Sequence, residues 1–391
     1  FKPLAITVLI VQSITVIVGT ILTLISNSWT APEPIYFEML LLPFFALFIA
    51  QAFEQISTQK KWTIPVLRYH SLLPFFFAIL VMLVIRFEVP HATKHQGYHL
   101  APHSTAVTEV LENEIGLHQN AEFRGRVASI LPHKGFLKQL TYFSALDVST
   151  GNDHQSTGLW LRHIPTLHEY NQLLSPSFYF LYRSFLSDRN EEDKPFRSWS
   201  NFSIVNPKIL RLLGVKFVLS DTSTIPGGNY RTKLDPTNGL PSLYLFELKD
   251  TNTAGISARK LIMADGVRQA AQFMDDPAFN IQDAIVTDRN PVAPIVPVNE
   301  SVILLDTGGV RIKASSSGKS LLILPVEYSH CLHVNVLSGE KPKLLRVDIA
   351  LTGLLFTNKV DVVLDNRLSL FDNPRCRLKD YREFSHLLKN N

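Results

Sequence analysis

The chain has 391 residues, of which 46% are hydrophobic and 18% are charged, and its formal net charge is +4. Its 25 Phe, 11 Tyr and 4 Trp residues can bury a large core, which excludes a low-complexity or disordered chain. Two cysteines are too few for a disulfide-dense scaffold or a four-cysteine zinc module. The mild and dispersed positive charge does not indicate a nucleic-acid-binding protein.

Three long apolar runs in the first 88 residues predict three membrane-spanning helices. They lie at residues 4–25, 35–53 and 66–87, and the first of them contains no charged residue. About 20 apolar residues are enough to cross the hydrocarbon core of a bilayer. Three buried helices of a soluble bundle are the alternative interpretation, but such helices rarely lack charges over this length.

Charges in the short loops predict how these helices are oriented. Lys60 and Lys61 lie between the second and third runs, whereas residues 26–34 contain no cation. Short loops on the cytoplasmic side are enriched in lysine and arginine. We therefore expect a protein of the bacterial inner (cytoplasmic) membrane that has the lipid bilayer as a partner. The large domain after residue 88 is expected to be extracytoplasmic.

Residues 89–255 predict an extracytoplasmic α/β domain. Amphipathic patterns favour helices there, and short apolar runs bounded by turn residues favour strands. The predicted helices are at residues 104–114, 167–174, 178–186 and 208–213, and the predicted strands are at 126–131, 215–220 and 243–248. Ser104 is expected to cap the first helix, and Gly214 to end the last one.

Residues 256–391 predict a second, β-rich domain. After a helix at residues 265–274, short strands follow one another with turn residues between them, which is typical of a β-sandwich. The predicted strands are at residues 283–287, 301–305, 310–315, 320–328, 332–337, 343–350 and 359–364. The predicted fold class is thus three transmembrane helices, an α/β domain and a sandwich-like domain that closes on a short C-terminal helix at residues 379–389.

Five stretches of the chain resemble segments of the YfhO-like bacterial integral membrane proteins. Residues 210–221 (LRLLGVKFVLSD) are similar to a helix, strand and acidic residue of that family, and residues 264–286 (ADGVRQAAQFMDDPAFNIQDAIV) to one of its helix–strand units. The other stretches are FRGRVASILP at residues 123–132, LLILPVEYSHCLHVNV at 321–336 and LLRVDIALTGLLF at 344–356. The resemblance covers most of residues 123–365. Where the family usually has Gly-Trp after a tyrosine, this chain has Cys331 and Leu332.

The resemblance implies an activity. YfhO-like proteins look like members of the GT-C class of membrane glycosyltransferases, which transfer a sugar from a polyprenyl-phosphate donor to an acceptor outside the cytoplasm. Because the family has further spans, the resemblance implies that this sequence, which begins at Phe1 rather than at Met, is a C-terminal portion. By analogy with the family, a divalent cation is a candidate cofactor. The soluble part would recognise the acceptor or another glycan.

No catalytic residue is assigned from the resemblance, because the catalytic carboxylate of the class lies in an outer loop that would precede Phe1. Glu33 and Glu38 lie near the predicted outer face of the membrane, and each is interpreted as structural. The alternative function is a non-catalytic, membrane-anchored module for binding or assembly in the cell envelope. A start codon directly before Phe1 would favour it, since three spans leave little room for a lipid-donor cavity.

The densest polar and aromatic segment, residues 151–176, is the predicted region of substrate contact. Aromatic faces with flanking hydrogen-bonding groups suit sugars, and arginine suits phosphate. The candidate substrate-binding residues are Asp153, His154, Trp160, Arg162, His163, Glu169 and Tyr170. The alternative interpretation places the aromatic side chains in the core and the charged ones on a solvated face.

The two cysteines, Cys331 and Cys376, lie on the predicted outer side of the membrane, where disulfides persist. They are candidates for a disulfide, but the sequence leaves open whether they pair. His330 and His333 flank the first cysteine and raise the question of a metal site. Because neighbouring residues of a strand point to opposite faces, no metal site is predicted there.

Overall fold

The computed structural model describes residues 105–118, 121–132, 159, 162–167, 175–187, 202–234, 242–287, 294–306, 309–366 and 375–389. All of them belong to one compact unit, which comprises His99–Glu192 and Trp199–Asn391. Within these ranges, no helix has the length and apolarity needed to span a membrane. The three predicted spans, at residues 4–25, 35–53 and 66–87, lie outside the described residues.

The described residues form a mixed α/β fold with five helices and two sheets, which confirms the mixed character predicted for them. The helices are α1 (Ala106–Ile115), α2 (Pro176–Phe185), α3 (Pro207–Leu212), α4 (Val267–Asp275) and α5 (Cys376–Lys389). The strands are β1 (Arg126–Ile130), β2 (Val215–Ser220), β3 (Gly228–Leu234), β4 (Leu243–Leu248), β5 (Ile256–Ser257), β6 (Lys260–Met263), β7 (Asp283–Val286), β8 (Val298–Asp306), β9 (Gly309–Glu327), β10 (Leu332–Gly339), β11 (Lys343–Val347) and β12 (Leu351–Asn366).

The N-cap of the first helix lies one residue after the predicted cap, Ser104. Thr105 is the N-cap, and its hydroxyl accepts the backbone N–H of Thr108 at 3.2 Å. The hydroxyl of Thr108 accepts the backbone N–H of Thr105 at 2.8 Å, so the two residues form a reciprocal capping box. Val107 and Leu111 on the inner face of α1 are fully buried against the small sheet.

The small sheet has the strand order β1-β2-β4-β3, with β1 parallel to β2 and the other neighbours antiparallel. The strands β2 and β4 have the bounds that were predicted for them. Gly214 joins α3 to β2 with a φ of +74°, which favours glycine. A Cβ there would also lie 3.0 Å from the carbonyl oxygen of Asn252 and 3.0 Å from the Cβ of Pro325. The helix therefore stops before Gly214, as predicted. A left-handed backbone favours glycine there, and a larger residue would crowd Asn252 and Pro325.

The large sheet is organised by two long antiparallel strands. β9 has 19 residues and β12 has 16, and they pair along most of their length. The path of the sheet is β5-β9-β12-β11-β7-β6, with β8 paired to β9 and β10 paired to β12. Two register shifts interrupt the β9–β12 ladder, between Leu351 and Thr352 and between Thr357 and Lys359. Because such irregularities bend and twist strands, they suit a sheet that curls into a half-barrel.

The predicted β-sandwich is therefore wrong in its sheet arrangement, because the strands belong to one curled sheet and not to two stacked sheets. The strands predicted at residues 310–315 and 320–328 are one strand, and the predicted turn at residues 316–318 lies inside it. The strand predicted at residues 359–364 likewise extends back to Leu351. Of the helix predicted at residues 167–174, only Leu167 is described, and it lies beside β1.

The largest hydrophobic cluster lies between the helices and the sheets. It joins Phe178 of α2 and Leu210 of α3 to Ile285 of β7, Leu351 of β12 and Phe384 of α5. The helices α2, α4 and α5 also contact one another. This single cluster takes residues from both sides of the predicted domain boundary at residue 255.

Candidate functional site

The described part of the predicted substrate segment runs along the edge of the small sheet. The backbone N–H of Val127 donates to the carbonyl of Pro165 at 2.9 Å, and the N–H of Leu167 donates to the carbonyl of Val127 at 2.8 Å. Leu159 and Ile164 are fully buried, and Leu167 is nearly so. The described apolar residues therefore anchor this part of the segment to β1, and Arg162 and His163 are held beside that edge strand.

Arg162 and His163 are the two candidate substrate-binding residues that the structure describes. The Nη1 of Arg162 donates to Oε1 of Glu112 at 2.7 Å, and its side chain is 12% exposed. His163 is exposed and has a φ of +57°, and its carbonyl accepts the N–H of Leu117 at 2.7 Å. The ion pair ties Arg162 to α1, whereas the ring of His163 is accessible. Asp153, His154, Trp160, Glu169 and Tyr170 lie outside the described residues, so the substrate site stays a prediction.

A second polar group, which we name the Arg346 cluster, consists of Tyr328, His330, Arg346 and Glu383. The side chain of Arg346 is only 4% exposed, and its Nη2 donates to Oε2 of Glu383 at 2.9 Å. The same carboxylate oxygen lies 2.8 Å from Nε2 of His330. The guanidinium carbon lies 4.7 Å from the centroid of the Tyr328 ring, a cation–π contact.

A carboxylate and a disulfide hold α5 in the position that completes the Arg346 cluster. Asp380 is 5% exposed; its Oδ2 accepts the hydroxyl of Ser329 at 2.6 Å, and its Oδ1 accepts the N–H of His330 at 2.7 Å. Cys331 and Cys376 are joined by a disulfide, and their Cα atoms are 5.0 Å apart. Together these bonds attach the first part of α5 to the turn before β10, and Asp380 lies about one helical turn before Glu383.

The Arg346 cluster has the chemistry of a polar binding site. His330 and Glu383 are about one-third exposed (34% and 36%), so a ligand can reach them, while Arg346 behind them is buried. The Nε of Arg346 has no hydrogen-bond partner among the described residues. Imidazole and carboxylate groups form hydrogen bonds with hydroxyls, and guanidinium groups bind anions. Sequence reasoning missed this group because its members come from residues 328, 330, 346 and 383, which share no local pattern.

The docking of α5 gives a testable prediction about stability. Changing Asp380 to Ala leaves the Ser329 hydroxyl and the His330 N–H without their acceptor. Leaving them unpaired should cost about 2 to 3 kcal/mol and speed local opening roughly a hundredfold. Amide hydrogen exchange across α5 in the full chain measures this effect. Lys379→Ala, on an exposed neighbour, is the control, and equal exchange in the two variants would contradict the role given to Asp380.

Asp348 is a buried carboxylic acid in the turn between β11 and β12. Its side chain is fully buried, its Oδ1 accepts the N–H of Ile285 at 2.9 Å, and its Oδ2 has no partner among the described residues. Burial is the main cause that raises the pKa of Asp348 to about 7; the nearby charge of Asp283 acts in the same direction, and the hydrogen bond from Ile285 opposes it. Asp348 and Ile349 both have left-handed backbone conformations, with φ values of +48° and +73°. A carboxyl group that holds a proton near neutral pH is thus built into a strained turn.

The described residues do not provide a site for the divalent cation suggested by the family analogy. No group of three or more His, Cys, Asp or Glu side chains within them could hold a metal ion. The Sγ of Cys331 is bonded to the Sγ of Cys376 in the disulfide. The Nδ1 of His333 lies 3.4 Å from Oδ1 of Asp365. The His330–His333 segment therefore does not fit a metal centre.

Comparison of the chain with protein-family models, curated proteins and solved structures yields no match to any of them.

Proposed function

We propose that the chain is a portion of a polytopic, GT-C-like membrane glycosyltransferase that uses a polyprenyl-phosphate sugar donor. In this proposal three transmembrane helices precede the described α/β unit, which lies outside the cytoplasm. The described unit recognises the acceptor or another glycan, and the catalytic carboxylate belongs to another part of the protein. The β-rich part of this unit is the curled sheet and not the β-sandwich predicted from the sequence.

The observation that carries the extracytoplasmic part of this proposal is the disulfide between Cys331 and Cys376. Structural disulfides persist in oxidising compartments and are rare in the cytoplasm. Both cysteines are buried, at 1% and 0% exposure, so the bond belongs to the interior of the unit. It supports the same extracytoplasmic position that Lys60 and Lys61 predict for everything after the third span.

Two edges of the described unit support glycan recognition. The exposed ring of His163 lies in the polar and aromatic segment at residues 151–176, next to the edge strand β1. The Arg346 cluster offers an aromatic ring, an imidazole and a carboxylate close to one another. Hydrogen-bonding groups beside aromatic rings are the arrangement that sugars require.

The proposal is tested by binding measurements on the full chain in detergent. Calorimetric titration with a panel of envelope glycans and with a short-chain polyprenyl phosphate should give saturable binding. Trp160→Ala should abolish glycan binding, because it removes the central aromatic ring of the predicted segment. Trp199→Ala is the matched control, and an equal loss in both variants would remove the support for the segment at residues 151–176.

The second candidate function is a non-catalytic, membrane-anchored module of the cell envelope. The observation that favours it is the ion pair between Arg162 and Glu112, whose atoms are 2.7 Å apart. Arg162, the cation that was predicted to bind a phosphate, instead holds α1 to the segment at residues 151–176. A folded full chain that binds neither the glycans nor the polyprenyl phosphate would favour this second function.

A further inference from the structure

The outward face of α5 combines exposed cations with exposed apolar side chains. Leu378 and Tyr381 are 44% and 51% exposed, although both are large and apolar. Arg375, Lys379 and Arg382 are exposed as well. Residues three or four positions apart share one face of a helix, so these five side chains form one continuous surface. We name it the α5 surface.

The acidic residues of α5 are bound by groups of the protein. Asp380 is buried against Ser329 and His330, and Glu383 binds Arg346. The charges of α5 are therefore sorted by their contacts, since both carboxylates bind groups of the protein, whereas Lys379 and Arg382 are exposed. This sorting makes the α5 surface positive and leaves it complementary to an anionic partner.

The stability of the helix does not explain these cations. No acidic residue lies in the first turn of α5, where Lys379 is found and which Arg375 directly precedes. Positive charges near a helix N-terminus oppose the helix dipole and destabilise the helix. Packing does not explain them either, because both side chains are exposed. Both cations are therefore accessible to an anionic partner from outside.

We propose that the α5 surface lies on the anionic headgroups of the outer leaflet of the membrane, with Leu378 and Tyr381 inserted at the interface. An interfacial helix of this kind combines basic residues with apolar ones. Tyrosine is enriched at membrane–water interfaces, and lysine and arginine bind anionic headgroups. The disulfide and Asp380 hold the helix rigid, so little conformational entropy is lost on binding. The proposal rests on the proposed function only in expecting that the unit is tethered beside a membrane.

The test compares the full chain in nanodiscs of phosphatidylcholine and in nanodiscs that also contain phosphatidylglycerol. An amine-reactive ester labels exposed lysines, and mass spectrometry measures the labelling rate of Lys379. Lys341 and Lys359 are internal references, because both are exposed and lie at the Gly339 end of β10, far from the disulfide. We expect labelling of Lys379 to fall about fivefold or more when the anionic lipid is present, while labelling of both references stays unchanged.

Single substitutions test whether the charge and the aromatic ring of the α5 surface each contribute to membrane contact. Arg382→Glu and Tyr381→Ser should each restore labelling of Lys379 in the anionic nanodiscs. Lys341→Glu carries the same change of charge as Arg382→Glu at a distant site and should leave the protection intact. Equal labelling of Lys379 in both lipids would overturn the proposal. Protection already present in detergent, and increasing with protein concentration, would also overturn it, since a second copy of the chain would then cover α5.

A co-elution experiment distinguishes a failure of the membrane-contact proposal for α5 from a failure of the proposed function. Co-elution of the chain with pure phosphatidylcholine nanodiscs tests the predicted spans independently of α5. A chain that fails to co-elute with them contradicts the membrane part of the proposed function. If such a chain still binds anionic vesicles and loses that binding in Arg382→Glu, the α5 surface is supported by itself.

Discussion

The Asp348→Asn protein should be more stable than the parent above pH 7, and its stability should depend less on pH. The pKa of Asp348 is about 7 in the folded state, whereas the ordinary pKa of an aspartate side chain is 3.8. Between these two pH values the folded protein holds the proton and the unfolded chain releases it. Stability is then fully present below pH 3.8 and decreases as the pH rises towards 7. The full decrease is about 4 kcal/mol at most. Asparagine cannot ionise, and it tolerates the left-handed conformation of the turn.

Unfolding midpoints of the full chain in detergent, measured by circular dichroism between pH 4 and pH 8.5, test this expectation. Asp250→Asn is the matched control, because Asp250 also has a left-handed φ, of +55°, but is exposed. It should leave the pH profile unchanged. If Asp348→Asn and the parent give parallel profiles, the carboxyl group of Asp348 does not hold its proton in the folded protein.

Removing the disulfide should lower the free energy of unfolding by about 3 to 4 kcal/mol. The bond closes an interval of 45 residues and so restricts the unfolded chain. The best variant is Cys331→Ala with Cys376→Ala, since alanine places no polar group in these buried positions. Oxidised parent and variant are compared by denaturant unfolding, with reduced parent as the control. Reduction should bring the parent to the level of the variant, and equal stability of oxidised parent and variant would exclude a stabilising bond.

The elements that sequence reasoning placed best are those whose side chains are buried on both faces. β2 (VKFVLS) and β4 (LYLFEL) are short apolar runs between turn residues, and their predicted bounds are the bounds in the structure. α3 ends where Gly214 adopts a left-handed conformation, as its sequence indicates. In these cases the local pattern and the tertiary environment agree.

Sequence reasoning failed where tertiary pairing overrides the local pattern. The polar run Ser316–Gly318 was predicted to be a turn, but it continues β9, and the hydroxyl of Ser316 donates to the carbonyl of Gly318 at 2.7 Å. β3 was missed because it is largely exposed and has no apolar run. Its Arg231 instead forms ion pairs with Glu114 and Glu247, at 3.1 Å and 3.0 Å.

The candidate sites also depend on tertiary contacts that no local sequence pattern indicates. The cysteines could be named from the sequence, but their pairing depends on how α5 meets the turn before β10. Arg346 and Glu383 come from a strand and a distant helix, so nothing local indicates that they touch. Asp348 and Ile349 lie in a run that resembles a continuous strand, and a β-branched residue such as isoleucine is rarely left-handed. The predicted substrate segment stays a prediction, since most of its candidate residues lie outside the described ones.

The central position of β12 has a consequence for how the protein is made. β12 pairs with β9, β10 and β11, although all three precede it in the chain. During synthesis, those strands present unpaired edges until residues 351–366 have followed them. Exposed strand edges template aggregation, and non-local pairing is slow. The β9–β11 region of the growing chain is therefore exposed to such pairing until β12 has been synthesised.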